Sequence, residues 1–176
     1  MIRTLVLVPS RVRPHNDGMT NLTAAQTLAD VGDIVRMEAR RVTGAQGATF
    51  VLREQDRCFY AAEDAIAPLW KGQRLPITAC ISGWAMLHDE TAVVPNIELD
   101  ERIPLEAYLP TFVRSLLMVP VGSPAPVAAI GAYWSRHHRA TQRQIDDLQA
   151  LADRAAEAIR RIGLADAPWA PTFTNG

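Results

Sequence analysis

The two cysteines are the residues of this chain whose chemistry is easiest to predict. Cys80 stands at or near the start of a short apolar segment with helical spacing, where a helix dipole lowers the pKa of a thiol. A reactive thiol usually has a second cysteine that resolves it, and Cys58 falls in a different predicted strand. The pattern therefore favours a buried, inert thiol at Cys80, with a redox-sensitive thiol as the alternative.

The histidines do not have the spacing of a metal or catalytic site. His137 and His138 are adjacent, so their side chains diverge, and an arginine flanks them on each side. Residues 88–90 read His-Asp-Glu, but no nucleophile stands beside them. The sequence also contains neither phosphate-binding glycine loop, nor H-E-x-x-H, C-x-x-C or G-x-S-x-G. We therefore predict no catalytic residue, no metal site and no enzymatic activity.

The composition excludes several classes of partner. The chain has 176 residues, with 18 basic and 19 acidic side chains and a net charge of −1. Near neutrality removes the electrostatic attraction to nucleic acid or to an anionic membrane surface. Residues 5–8 are apolar but stop at Pro9, far short of the roughly 20 residues that span a bilayer. Two cysteines cannot form a disulfide framework. We predict a cytoplasmic protein without a nucleic-acid or membrane partner.

The elements that must position these residues follow from hydrophobic periodicity. Helical spacing begins at Thr23 and ends at Gly44, and alternating residues then predict two strands. Further along, the pattern predicts short helices at 65–71 and 82–88, and strands at 91–94, 113–121 and 127–134. The order of these elements predicts an α+β domain, with an antiparallel sheet covered on one side by the terminal helices. We assign residues 22–163 to this domain, 1–21 to a leader or edge strand, and 164–176 to a proline-containing tail.

The last helix carries the spacing of a coiled-coil seam. Thr141 and Gln144 fit a capping box at its start, and apolar residues then follow alternating steps of three and four. The stripe consists of Ile145, Leu148, Ala152, Ala155, Ile159 and Ile162. Its small alanines would let two helices approach closely, so the pattern predicts that this stripe joins two copies of the chain in a homodimer.

Large amphipathic side chains gather in the middle of the chain and in the later strands. Aromatic rings with polar tips around an apolar cavity suit a small planar ligand, and an amide or guanidinium group could orient it. The candidates are Trp84, Asn96, Tyr108, Phe112, Arg114, Met118 and Tyr133. The alternative is a plain core in which these side chains only pack on one another.

Four segments stand in an order that is typical of one family. They read CISGWAMLHDETAVVPNI (80–97), DERIP (100–104), VRSLLMVPV (113–121) and IGAYW (130–134). Together they resemble a GAF domain, similar in particular to the GAF modules that precede histidine kinase cores in bacterial sensors. The resemblance covers about residues 23–162, and its strength lies in the four segments as a set.

The resemblance implies a fold and a class of function. The implied fold is a six-stranded antiparallel sheet with the terminal helices on one face and a ligand cavity on the other, under residues 83–110. The implied protein is a non-enzymatic sensor of bacterial two-component signal transduction. It would bind a small molecule and relay the signal through the terminal helices of a homodimer to a histidine kinase or another output protein.

Comparison with three GAF subfamilies leaves the cofactor unknown. Bilin-binding members carry a Cys-His pair just upstream of a Tyr-Leu pair, and here Pro104 and Leu105 stand before Tyr108, which argues against a covalent bilin. Asn96 and Asp100 match the cyclic-nucleotide signature poorly.

The third subfamily concerns the thiols. The free methionine sulfoxide reductases resemble this chain in fold but use a cluster of cavity cysteines, which the spacing of Cys58 and Cys80 does not predict. Two alternatives to a ligand sensor therefore stay open. One is a ligand-free structural dimerisation module, and the other is a thiol-based redox sensor or reductase-like enzyme acting through Cys80.

Overall fold

A computed structural model describes residues 22–163, which form a six-stranded antiparallel sheet with helices on both faces. The predictions for residues 1–21 and 164–176 concern segments outside the described residues. The elements are α1 (Leu28–Thr43), β1 (Gly47–Glu54), β2 (Arg57–Ala65), β3 (Arg74–Pro76), α2 (Ile81–His88), β4 (Ala92–Val94), α3 (Leu105–Tyr108), β5 (Ser115–Val121), β6 (Ala128–Trp134) and α4 (Gln142–Ile162). Single 3₁₀ turns lie at Ile77–Ala79 and Ile97–Leu99. The strand order is β3-β2-β1-β6-β5-β4, which confirms the predicted fold class.

Helix α1 begins later than its sequence pattern predicts. The helical spacing begins at Thr23, but the N-cap is Thr27, whose Oγ1 accepts a hydrogen bond from the Asp30 amide at 3.1 Å. The Asp30 carboxylate in turn accepts from the Thr27 amide at 2.9 Å, which completes the box. The helix ends where predicted, because Gly44 adopts a φ of 65° and donates its amide to Arg40.

One sheet face packs against α1 and α4 and forms the core that we call the helix-side core. Its members come from both helices and from alternate positions of the central strands, and include Val31, Val35, Phe50, Leu148 and Trp134. The predicted capping box of α4 is present, since Thr141 Oγ1 accepts from the Gln144 amide at 3.2 Å. The two long helices therefore anchor the back of the sheet.

This packing corrects the predicted dimer seam. Four of its residues, Leu148, Ala152, Ala155 and Ile159, are buried inside the chain itself, and the end residues Ile145 and Ile162 are partly buried against the same core. The coiled-coil spacing arises because α4 packs along α1 and the sheet, which uses the same apolar stripe as a helix pair would. These side chains are thus not free to join a second copy, and the homodimer stays a prediction without this seam.

The segment between β2 and β3 is the second correction. Residues 66–73 form bends and a turn instead of the short helix predicted at 65–71. Pro68 lacks an amide hydrogen, and the Glu63 carboxylate accepts the amides of Leu69, Trp70 and Lys71 at 2.9 to 3.0 Å. A side chain has taken the hydrogen bonds that a helical turn would need, so the backbone stays irregular.

Candidate functional site

The candidate site lies on the sheet face opposite α1 and α4. Short elements cover this face: α2 packs on β5, β6 and β2, and α3, both 3₁₀ turns and residues 66–73 complete the cover. The buried residues beneath them form a second apolar cluster, the cage-side core, separate from the helix-side core. A face covered by short, irregular pieces is easier to open locally than one covered by two long helices.

Three tyrosines surround one tryptophan at the centre of the cage-side core. The centroid of the Trp70 ring lies 4.8 Å from that of Tyr108 and 5.6 Å from those of Tyr60 and Tyr133. The contacts with Tyr108 and Tyr133 are edge to face, at 61° and 66°, an arrangement that aromatic pairs favour, and the contact with Tyr60 is tilted at 57°. We call Tyr60, Tyr108 and Tyr133 the tyrosine cage. Trp70 fills it and is 5% exposed.

The cage hydroxyl groups are neutral. The Tyr60 hydroxyl lies 2.8 Å from Ser82 Oγ, and the Tyr133 hydroxyl lies 2.8 Å from Thr49 Oγ1. Burial raises the pKa of each of the three tyrosines above its ordinary value, because a phenolate would lose its solvation there. The Tyr108 hydroxyl has no hydrogen-bond partner among residues 22–163. The cage therefore offers flat apolar walls and one uncommitted polar group.

Glu63 holds the segment that brings Trp70 into the cage. Each of its carboxylate oxygens is used: one accepts the Leu69 amide and the other accepts the amides of Trp70 and Lys71. The Gly72 amide also donates to the Tyr60 carbonyl at 2.8 Å. Hydrogen bonds to a carboxylate are stronger than those between neutral groups, so Glu63 fixes the position of Trp70.

Trp70 and Glu63 were absent from the sequence-based candidates. The sequence pattern predicted a short helix at 65–71, and that helix did not indicate that the Trp70 side chain would pack against the sheet. A usable signal was present, since Trp70 is a large aromatic residue in a short connection between two strands, where most neighbours are polar or small. No pattern in the sequence indicates that Glu63 would accept three amides.

The structure brings some of the predicted ligand residues together. Tyr108, Met118 and Tyr133 are buried in the cage-side core, and Phe112 packs against its edge. Trp84 lies at the rim, where its ring stacks on His88 with centroids 4.7 Å apart.

The Arg102 guanidinium lies 4.5 Å from the centre of the Trp84 ring and is paired with Asp100 at 2.6 Å. This ion pair lowers the pKa of Asp100. Trp84 is therefore held by charged neighbours at the surface and not by the cage.

Two predicted polar residues do not serve the cage. Asn96 Oδ1 accepts the Glu98 amide at 3.0 Å and so caps a 3₁₀ turn. Arg114 Nη1 donates to the carbonyls of Thr111 and Val113 at 3.0 and 2.7 Å. Both side chains are committed to their own loops, because a polar side chain beside free backbone groups satisfies these first.

The two cysteines are close together, contrary to the expectation from their spacing. Cys58 lies on β2, Cys80 is the N-cap residue immediately before α2, and both are buried in the cage-side core. Their thiols are within hydrogen-bonding reach of each other. Cys80 Sγ also lies 3.7 Å from the carbonyl oxygen of Pro76.

The surroundings differentiate the two thiols. The hydrogen bond from Cys58 lowers the pKa of Cys80 to about 6, and the Gly83 amide and the hydroxyls of Ser82 and Tyr60 add to this effect. The same contact, together with burial, raises the pKa of Cys58 well above its ordinary value. Cys80 is therefore the thiol that ionises.

The described part of the chain holds neither a cluster of metal ligands nor a membrane-spanning helix. No three His, Cys, Asp or Glu side chains within residues 22–163 lie together in a way that could hold a metal ion. None of the helices in that range combines the length and the apolar character needed to cross a bilayer.

Comparison with known proteins identifies what the chain is similar to. A family model described as a GAF domain matches residues 25–160. The GAF domain of a phosphoenolpyruvate-protein phosphotransferase from Acinetobacter is 16% identical, with a TM-score of 0.70 over 82% of this chain and 89% of that one. The GAF-B domain of DevS from Mycobacterium smegmatis is 20% identical, with a TM-score of 0.62 over 76% and 93%.

A third similar structure is an enzyme. The free methionine-R-sulfoxide reductase from Neisseria meningitidis, solved in complex with its substrate, is 17% identical, with a TM-score of 0.61 over 81% of this chain and 85% of that one. No curated protein sequence matches the chain. At these identities the structural likenesses show the fold alone.

Proposed function

The chain belongs to the GAF domain family, and from this premise we propose that it is a sensory domain whose tyrosine cage binds a small planar molecule in exchange for Trp70. The observation that carries the proposal is the cage itself. Three neutral tyrosines enclose an indole that is supplied by a short irregular segment and not by a strand or helix. The substrate complex of the Neisseria reductase supports it, because a related fold there holds a small molecule.

The cage favours a planar ring of about the size of indole. Such a ring would make the same edge-to-face contacts that Trp70 makes, so exchanging one for the other keeps the aromatic contacts of the cage. The free Tyr108 hydroxyl would select among planar rings, since a ligand with a hydrogen-bond acceptor or donor at its edge satisfies that group.

The segment that carries Trp70 is suited to leaving. Residues 71–73 are exposed, and Ile66 is 57% exposed, so the apolar surface that opening would expose comes mainly from the indole and from the partly buried Leu69. Its attachment consists of the three amides that Glu63 accepts and of backbone hydrogen bonds that join Gly72 and Gln73 to Tyr60. A ligand that binds the open state better than the closed one would shift the population toward the open state.

A chain of contacts links the cage to α4. Tyr133 is the neighbour of Trp134 on β6, and the two side chains lie on opposite faces of the sheet, in the cage-side and helix-side cores. The Trp134 ring lies 4.5 Å from the ring of His138, whose Nε2 is 2.9 Å from Gln144 Oε1 in the capping box of α4. We propose that ligand exchange alters the start of α4 through these residues.

The proposed signal must pass from α4 to another protein. In this proposal α4 signals to a histidine kinase or another output protein, and any homodimer uses surfaces other than the buried stripe of α4. The surfaces available to such a protein are the exposed faces of α1 and α4, which are rich in charged side chains.

The test is direct binding of planar probes to the full chain. Indole, quinoline, caffeine and lumichrome are equilibrated with the protein, and bound compound is measured by mass spectrometry after dialysis. We expect at least one probe to bind the wild type, and a Tyr108→Phe variant to bind probes with polar edges about tenfold more weakly, the value of one neutral hydrogen bond. Trp84→Phe serves as the control and should bind like the wild type. Absence of binding by every probe would contradict the proposal.

The filled cage also favours a second candidate, a ligand-free structural domain. In that case Trp70 is a permanent core residue, which its 5% exposure supports. The same binding experiment separates the two candidates, because a permanently filled core accepts none of the probes while the protein stays folded.

A further inference from the structure

The two cysteines of the chain lie side by side where β2 meets the first turn of α2. In the pairing of β2 with β3, Cys58 stands opposite Leu75, and the Ile77 amide then donates to the Asp56 carbonyl at 2.7 Å. The 3₁₀ turn at Ile77–Ala79 reverses the chain and places Cys80 at the start of α2. Strand register and a tight turn thus bring the two thiols together although the sequence separates them.

From this geometry we propose that Cys58 and Cys80 form a redox site, in which a small peroxide oxidises Cys80 and Cys58 resolves the product as an intrachain disulfide. The proposal goes beyond ligand binding and does not depend on it. The chain has only these two cysteines, so each has a single possible partner within one molecule.

The surroundings decide which thiol reacts first. Cys80 caps the start of an eight-residue helix, and the Cys58 thiol, the Gly83 amide and the hydroxyls of Ser82 and Tyr60 all stabilise negative charge on its sulfur. Cys58 lies in the middle of an apolar cluster, where the hydrogen bond to Cys80 and burial both disfavour a charge on its sulfur and only Arg53 favours it. Cys80 is therefore the nucleophile and Cys58 the resolving thiol.

Solvent also reaches Cys80 more easily than Cys58. Cys80 is 5% exposed and comes directly after the exposed residues Thr78 and Ala79, whereas Cys58 is fully covered. A molecule as small as hydrogen peroxide needs only a small opening beside the 3₁₀ turn to reach Cys80.

The oxidation of the two thiols by peroxide takes place in two steps. The Cys80 thiolate attacks one peroxide oxygen, the O–O bond breaks, and the departing hydroxide takes a proton from solvent and leaves as water. Cys80 is now a sulfenic acid. The Cys58 sulfur then attacks the Cys80 sulfur, an S–S bond forms and the S–O bond breaks, and the hydroxyl group leaves as water with the Cys58 proton. Two thiols lose two electrons, and one peroxide becomes two waters.

The disulfide would alter the tyrosine cage. It would link β2 to the start of α2 and close the loop between them, which contains Trp70. Tyr60, which touches both the cage and Cys80, is the residue through which oxidation and ring binding would affect each other.

The experiment titrates the full chain with hydrogen peroxide, quenches it with acid, and alkylates the remaining thiols in denaturant before intact-mass measurement. We expect the wild type to lose two hydrogen atoms and both alkylation sites together, to stay monomeric on a non-reducing gel, and to be restored by dithiothreitol. In Cys58→Ser, dimedone should trap a sulfenic acid on Cys80. In Cys80→Ser, the Cys58 thiol should survive peroxide doses that convert the wild type completely.

Three results would overturn the proposal. These are a wild type that keeps both alkylation sites, a disulfide found only between two chains, and a Cys80→Ser variant whose Cys58 reacts as fast as the wild type. Circular dichroism checks that both variants are folded, and the wild-type mass alone decides the outcome if either is not.

Discussion

The rings of Trp70 and Tyr108 meet edge to face, with centroids 4.8 Å apart and planes inclined at 61°. Tyr108 belongs to the cover of the site, whereas Trp70 belongs to a connection between two strands. Their contact therefore closes the cage-side core from two directions.

Replacing Trp70 with Ala should open a cavity inside the tyrosine cage. Removal of a buried tryptophan typically lowers the free energy of unfolding by about 3–5 kcal/mol. Urea unfolding measures the loss, and indole should bind the variant and restore part of its stability, because it refills an apolar cavity. Trp84→Ala is the matched control, with a smaller loss and no rescue by indole. Equal losses of unfolding free energy in Trp70→Ala and Trp84→Ala would contradict the claim that Trp70 fills the tyrosine cage.

Replacing Glu63 with Gln should loosen the Trp70 segment. The amide NH₂ group of Gln cannot accept hydrogen bonds, so at least one of the three backbone amides loses its partner, at a cost of about 1–3 kcal/mol. Hydrogen exchange at Leu69, Trp70 and Lys71 should accelerate while exchange in β1 does not. Asp64→Asn, in the next position, removes a surface ion pair worth about 0–1 kcal/mol and should leave those amides protected.

Replacing Gly83 with Ala should displace α2. A Cβ at this position would overlap the carbonyl oxygen of Ile77, which is backbone and cannot rotate away. Overpacking of this kind costs about 1–3 kcal/mol or more, and circular dichroism with urea unfolding measures it. Leu87→Ala, on the exposed side of the same helix, should change stability by only about 0.5 kcal/mol. Equal stability of the two variants would show that α2 does not rest on Ile77.

The rate of disulfide formation with peroxide should depend on pH through Cys80. The reactive thiolate is present above the pKa of about 6, so the rate should rise as the pH increases through that value and then level off. In Cys58→Ala, which lacks the S–H donor, the pKa of Cys80 should move up. Dimedone trapping of the sulfenic acid would then require a higher pH than in Cys58→Ser, which keeps a donor. Coincident profiles for these two variants would contradict the role of Cys58.

Replacing Leu148 with Ala should destabilise a single chain, because this residue belongs to the helix-side core. The expected loss is about 2–5 kcal/mol, and the urea midpoint should not change with protein concentration. A midpoint that rises with concentration in the wild type and falls to the monomer value in the variant would instead assign Leu148 to an interface between copies.

The fold could be predicted from the sequence because its signals are local. Gly44 ends α1 and the Thr141 capping box begins α4, and strand alternation places β5 and β6, as the pattern indicates. The four segments from 80 to 134 identify the family, and the family model over residues 25–160 confirms it.

The site could be predicted only in part, because its central contacts join residues distant in sequence. Tyr108 and Tyr133 were predicted as candidates, but Trp70 was not, because the segment that carries it is irregular and hydrogen-bonded to the distant Glu63. Cys58 and Cys80 meet through the register of β2 with β3, which no spacing rule expresses. The apolar stripe of α4 has a period that would suit packing either against a helix of a second copy or against the core of the same chain. In the structure it packs against the core of the same chain.

The most direct measurement of the central claim is the fluorine NMR signal of Trp70 in the full chain labelled with 5-fluorotryptophan. The chain has four tryptophans, and a Trp70→Phe variant assigns the signal. Without a probe, the signal should be insensitive to exchange of H₂O for D₂O, because the indole is buried. On addition of the tightest-binding planar probe, it should move to the position of a solvated indole and become sensitive to that exchange. A probe that binds while the Trp70 signal stays unchanged would contradict the exchange of Trp70 for a ligand in the tyrosine cage.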